Sequence, residues 1–154
     1  MIALILVFID QLIKEFAIKN LELGTSYPVI DGLLWLRLAY NDAAAFSLGF
    51  GHTWILAVFA SIAGLVTIWY GLKMNSLSWQ IMTGLFLAGV VGNLVDRLTR
   101  EPSFGNGYVI DYIQIPFNFP IFNLADMLIV CMVSLTVIRV FRGESIGGLP
   151  PKQK

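Results

Sequence analysis

Long apolar stretches with few charges dominate the chain, in lengths that suit a bilayer. Residues 43–72 run for thirty positions without a charge, and 53–72 is a clean helix candidate of twenty residues. Residues 74–95 form a second charge-free stretch, ending at Asp96-Arg97. Residues 121–138 form a third, interrupted by Asp126 and closed by Arg139 and Arg142. The N-terminal run, 2–18, is a fourth, broken by Asp10, Lys14 and Glu15. A cleaved signal peptide is the rival reading of that end. Asp10 interrupts its apolar region, and it has no basic n-region and no small-x-small cleavage site. The pattern predicts a mainly α, integral membrane protein with four transmembrane helices, at about 2–19, 53–72, 76–96 and 121–140, and both termini on one side.

The connections between these spans are uneven. The one after Leu72 needs only a turn, whereas those at roughly 20–52 and 99–120 are long and lie on one face. Each carries strand-like content, at 33–38 and 108–115, punctuated by Gly32, Gly105 and Gly107. A small β-element above the helices is expected, with the functional site on that face. Residues 1–154 read as one membrane-embedded domain.

Composition fits this setting: 57% of residues are hydrophobic, 13% are charged, and mean hydropathy is +0.77. Ten basic residues balance ten acidic ones, so no basic surface is expected for nucleic acid. The basic residues divide five against five between the two faces, and the positive-inside rule does not orient the chain. A lone Cys131 excludes an internal disulfide framework.

Against this background Asp126 stands out. A carboxylate in a membrane span costs roughly 2.5–3.5 kcal/mol on insertion scales, so it signals function by default. Asp111 lies fifteen positions earlier, and Pro116 and Pro120 between them forbid one continuous helix. The two acids therefore sit on separate elements that can fold back toward each other. Two carboxylates sharing a site hold one proton between them, which suits general acid/base catalysis. Other hydrolytic inventories are thin. His52 is the only histidine, no H-E-x-x-H or G-x-S-x-G occurs, and Cys131 has no cationic neighbour to activate it. No metal or other cofactor is expected.

Five motifs stand in order along the chain: Asp10-Gln11-x-x-Lys14, Asn41-x-x-x-Ala45-Phe46-Ser47, Gly92-Asn93-x-x-Asp96-Arg97, Val109-Ile110-Asp111-Tyr112 and Phe122-Asn123-Leu124-Ala125-Asp126. Each is weak alone. Together, with four spans, they closely resemble the bacterial lipoprotein signal peptidase family, also called signal peptidase II. The resemblance implies an aspartic endopeptidase that removes the signal peptide from diacylglyceryl-modified prolipoproteins, just before the lipidated cysteine. It implies Asp111 and Asp126 as the catalytic pair, Asn41, Asn93, Arg97 and Asn123 as substrate-binding residues, and Asp10 and Lys14 as supporting ones. A multi-pass protein of the bacterial inner membrane is expected, with cytoplasmic termini, an active site near the outer leaflet and a loop lid. Its expected partners are prolipoprotein substrates, membrane lipids and inhibitors of the globomycin type, and it is expected to be a monomer.

Four features depart from the family pattern. Ala43 replaces a usual glycine, Tyr112 a commoner phenylalanine, and the stretch 101–107 is longer than usual. Only nine residues precede Asp10, about 13 Å of helix, so we expect the natural chain to begin further upstream. Plainer readings also exist. Asn123-x-x-Asp126 has the spacing of a capping box, Asp10 and Lys14 of a buried structural pair, and Asp96-Arg97 of an interfacial ion pair. Gly84, Ala88 and Gly92 make a small-residue packing stripe, and Trp35, Trp54, Trp69 and Trp79 serve as interfacial or packing anchors. His52 reads as a loop residue. A proton- or ion-coupled small membrane transporter is the alternative function, since it too places acids in spans. It usually shows inverted repeats with broken helices, which this chain lacks.

Overall fold

The structure, a computed structural model, describes residues 1–42 and 53–148. Helix α1 (Ile2–Asn20) leads into strands β1 (Ser26–Ile30) and β2 (Leu34–Asn41). Helices α2 (Thr53–Gly71) and α3 (Leu77–Thr99) follow, then strand β3 (Val109–Gln114), helix α4 (Leu124–Phe141) and a short 3-10 turn, Ile146–Gly148.

Helices α2, α3 and α4 are long and apolar enough to cross a membrane. α1 is of similar length but carries Asp10, Lys14, Glu15 and Lys19. Much of the apolar surface faces outward, including Phe8 and Phe16 of α1, Phe59 and Leu65 of α2, and Val130 of α4. A soluble protein would leave so much exposed only at a binding face.

α3 packs against the other three helices. Its small residues make this possible. A Cβ at Gly89 would stand 2.5 Å from the Ala125 carbonyl oxygen of α4, and one at Gly92 would stand 2.7 Å from Asp10 Oδ2 of α1. Gly84 leaves room for Ile2, and Ala88 is buried, so the small-residue stripe is a packing surface. α3 also runs a turn past Asp96, because that carboxylate is buried and paired instead of solvated at a helix end. Trp79 is buried beneath the Arg139 guanidinium, and Lys73 lies over the Trp69 ring.

The three strands form an antiparallel sheet in the order β1-β2-β3. Strands β2 and β3 match the expected strand-like segments. β1 was not among the expected segments; as an edge strand it tolerates the donor missing at Pro28. One face of the sheet packs on the end of α1, where Ala17, Leu38, Ile110 and Tyr112 form a small core. On the other face the register sets Ala39 opposite Asp111 and Asn41 opposite Val109.

After β3 the chain reverses. Phe117 and Asn118 take positive φ values of 67° and 53°, between Pro116 and Pro120. Phe122 then pairs back with Ile113, whose N–H donates to the Phe122 carbonyl at 2.8 Å. The proline segment thus acts as a return, and α4 starts at Leu124, three residues later than the hydrophobic run begins.

Candidate active site

The start of α4 is a full capping box. Asn123 Oδ1 accepts from the Asp126 backbone N–H at 3.0 Å, and Asp126 Oδ2 accepts from the Asn123 backbone N–H at 3.1 Å. The capping reading and the site reading coexist, because Asn123 has one polar end left. Its Nδ2 donates to Asp111 Oδ1 at 2.6 Å and to Asn93 Oδ1 at 3.2 Å. One fully buried asparagine thus links both acids: by its backbone to Asp126, by its side chain to Asp111.

The other oxygens of the two acids have donors as well. Asn41, at the end of β2, donates to Asp111 Oδ2 at 2.8 Å, and Asn93 of α3 donates to Asp126 Oδ1 at 2.7 Å. Asp111 is only 2% exposed. Burial pushes its carboxyl up to about 7, helped by the nearby Asp126 charge and opposed by the Asn41 and Asn123 bonds and by Lys14. Its neighbour Tyr112, buried on the opposite sheet face, is raised to about 12, mainly by loss of hydration.

Behind this pair lies a buried ionic cluster. Lys14 Nζ sits 2.9 Å from Asp10 and 2.7 Å from Asp96, and donates to Asn93 Oδ1 at 3.0 Å. Asp10 and Lys14 are thus the buried pair their spacing suggested. The Asp96-Arg97 ion pair is corrected: Asp96 binds Lys14 and Arg100, at 2.7 Å each, because successive helical residues point apart. Arg97 turns toward the acids and feels the charges of Asp126, Asp96 and Asp111. Its single hydrogen bond among the described residues goes to the Asn93 carbonyl at 3.2 Å, leaving most of its donors uncommitted.

All eight expected site residues therefore meet at one end of the helices. Asn41, Asp111, Asn123, Asn93 and Asp126 form one hydrogen-bonded chain, Lys14 and Asp10 support it from α1, and Arg97 flanks it. Asp96, Arg100 and Gln11 were missed as members of the support. Gln11 Nε2 bonds Asp96 Oδ1 and the Gly92 carbonyl, each at 3.1 Å, and Arg100 reaches Glu15 at 2.9 Å. The spacing Asn93-x-x-Asp96-x-x-x-Arg100, which puts all three on one helix face, was the available signal. In the stretch 101–107, Gly107 lies so close to the Asp96 carbonyl that no side chain fits, which steers β3 onto α3. The Ala43 departure, the Ala45-Phe46-Ser47 part of the second motif, and His52 lie outside the described residues.

Chemically, the arrangement offers a carboxyl that keeps its proton to near-neutral pH and a second carboxylate held by fixed donors, with a guanidinium beside them. That set can take a proton from water, give one to a carbonyl, and bind carbonyl oxygens.

Comparison with known proteins agrees in extent as well as kind. The sequence profile described as signal peptidase (SPase) II matches residues 2–142. The chain is 44% identical to a lipoprotein signal peptidase of Leifsonia xyli subsp. xyli, over 96% of this chain and 68% of that one. It is 40% identical to a lipoprotein signal peptidase of Streptomyces coelicolor, over 92% of this chain and 69% of that one. A solved bacterial membrane enzyme superposes with a TM-score of 0.82 at 26% identity, covering 99% of this chain and 92% of the other.

Proposed function

The chain belongs to the signal peptidase II family, a family of membrane aspartic peptidases that cleave signal peptides from prolipoproteins, and from that premise we propose that Asp111 and Asp126 are its catalytic pair. The observation that carries this is Asn123, which bonds both acids at once and so fixes them about one shared space. Hydrolysis then needs no covalent intermediate. One carboxylate takes a proton from water as the water oxygen bonds to the scissile carbonyl carbon, while the other carboxyl gives its proton to the carbonyl oxygen. The C–N bond breaks as the first acid passes its proton to the leaving nitrogen and the second recovers its own.

Asn41, Asn93, Arg97 and Asn123 are the proposed substrate shell, and Asp10 and Lys14 its support. A peptide drawn into this site loses hydration at its carbonyls, and the uncommitted donors of Arg97 can replace it. The substrate we assign is the diacylglyceryl-modified prolipoprotein, cut before its lipidated cysteine. α1 is the proposed fourth span: its charges at Asp10 and Lys14 are buried against α3, while Leu4, Phe8, Leu12 and Phe16 face outward. On this reading one monomeric domain lies in the inner membrane with cytoplasmic termini. Its active site is near the outer leaflet under a loop lid, where a globomycin-type inhibitor also binds.

Purified protein in detergent, given a lipid-modified prolipoprotein, tests the assignment. Asp111→Asn and Asp126→Asn are expected to fold and to lose nearly all turnover, and EDTA is expected to change nothing. Near-normal turnover in either variant removes that residue from the pair.

A further inference from the structure

Lys14 is fully buried in α1, and its ammonium has three protons for three acceptors: Asp10 Oδ2 at 2.9 Å, Asp96 Oδ2 at 2.7 Å and Asn93 Oδ1 at 3.0 Å. An ammonium donates and never accepts. The Asn93 amide must therefore face Lys14 with its oxygen, which also accepts from Asn123 Nδ2 at 3.2 Å, and its nitrogen is left to face Asp126. Asn93 Nδ2 donates to Asp126 Oδ1 at 2.7 Å. A reversed amide would press oxygen against oxygen at that distance, a contact relieved only by a proton on Asp126. The donor to the other Asp126 oxygen is a backbone N–H, which cannot reverse either.

We propose that Lys14 is a positioning residue of the cleavage reaction: together with Asn123 it fixes the Asn93 amide so that its nitrogen donates to Asp126, which favours Asp126 as the base of the pair and Asp111 as the holder of the shared proton. The inference rests on the peptidase reading above. Two further features favour the same division. Asp126 stands in the first turn of α4, where the helix dipole supports negative charge, and Asp111 is buried on a strand that offers no such field. The titratable groups facing Asp126 are Arg97 of α3 and Asp111 and Tyr112 of β3, with Asp10 and Lys14 of α1 and Asp96 of α3 behind Asn93.

The test compares Lys14→Met, which removes every donor, with Lys14→Gln, which keeps a neutral one. Each is assayed for kcat and KM across pH on a lipid-modified peptide in detergent. Lys14→Met is expected to lose about a hundredfold in kcat near pH 7 and to show a pH profile displaced from that of wild type. Its KM should stay within about threefold of wild type. Lys14→Gln is expected to keep most of kcat. Lys14→Met leaves Asp10 without its cation, so Asp10→Asn/Lys14→Met, which preserves the cluster's charge, is measured beside it. An infrared arm needs neither activity nor a Lys14 variant: Asp111→Asn should remove a protonated-carboxyl band seen at pH 6, and Asp126→Asn should leave it. The opposite infrared pattern overturns the proposal, as does a folded donor-less variant with a wild-type pH profile, or equal losses in the Met and Gln variants. Correct bands in a protein that cleaves no lipopeptide overturn the peptidase reading instead.

Discussion

Replacing Asn123 separates the two tasks that the structure gives it. Asn123→Ala removes the cap on α4, worth about 1 kcal/mol. It also removes the 2.6 Å bond to Asp111, which above about pH 7, where that carboxyl is ionised, ranks at about 1.5–3 kcal/mol with hydrogen bonds to charged groups. Together these predict a loss of roughly 2.5–4 kcal/mol. Asn123→Ser keeps an oxygen for the Asp126 N–H but cannot reach Asp111, so it should fall short of wild type by only the second amount. The two variants should therefore differ from each other by about 1 kcal/mol. Turnover should behave differently from stability. Both variants lose the donor to Asp111, so both should drop by a similar factor, about tenfold to a hundredfold. The pH profile should move too. The Asn123 bond holds the Asp111 carboxyl lower than burial alone would, so without it ionisation shifts above about 7, and the alkaline limb of activity moves up with it. Denaturant titration in micelles, followed by tryptophan fluorescence, reads the stabilities, and a fluorogenic lipopeptide reads turnover. Equal stability of the Ala and Ser variants, or wild-type turnover in Asn123→Ser, would refute the double role.

Three other expectations follow from the same geometry. Arg97→Ala should weaken turnover and the binding of a globomycin-type inhibitor, each uncompensated carbonyl costing about 1–3 kcal/mol; unchanged inhibitor titrations would remove Arg97 from the substrate shell. Gly89→Ala should destabilise by about 1–3 kcal/mol, because its Cβ meets the Ala125 carbonyl oxygen at 2.5 Å. Gly64→Ala meets only Leu87, at 3.9 Å, and should be close to neutral in the same unfolding assay. Finally, the Asp111 carboxyl is raised from 3.8 unfolded to about 7 folded, so the folded state binds this proton more tightly. Its contribution to stability is complete below pH 3.8 and is lost as pH rises through about 7; unfolding measured across that range should lose this slope in Asp111→Asn.

The amino-acid sequence by itself determined the helices, the two long excursions between them and the identities of the two acids. Those are local properties: apolar runs of bilayer length, prolines that end a helix, and a carboxylate too costly to bury without a use. It also held the capping box, since Asn123 and Asp126 lie within one turn. What it could not decide was partnership across elements. Asp96 looked paired with its neighbour Arg97, yet the crossing of α1 and α3 gives it to Lys14 and Arg100. β1 was not among the expected strands, and its place at the sheet edge makes Pro28 acceptable there. The tertiary structure alone sets the hydrogen-bond polarity of the site. Which end of an asparagine amide meets an acid depends on what stands behind it, and for Asn93 those neighbours, Lys14 and Asn123, are 79 and 30 residues away in the chain.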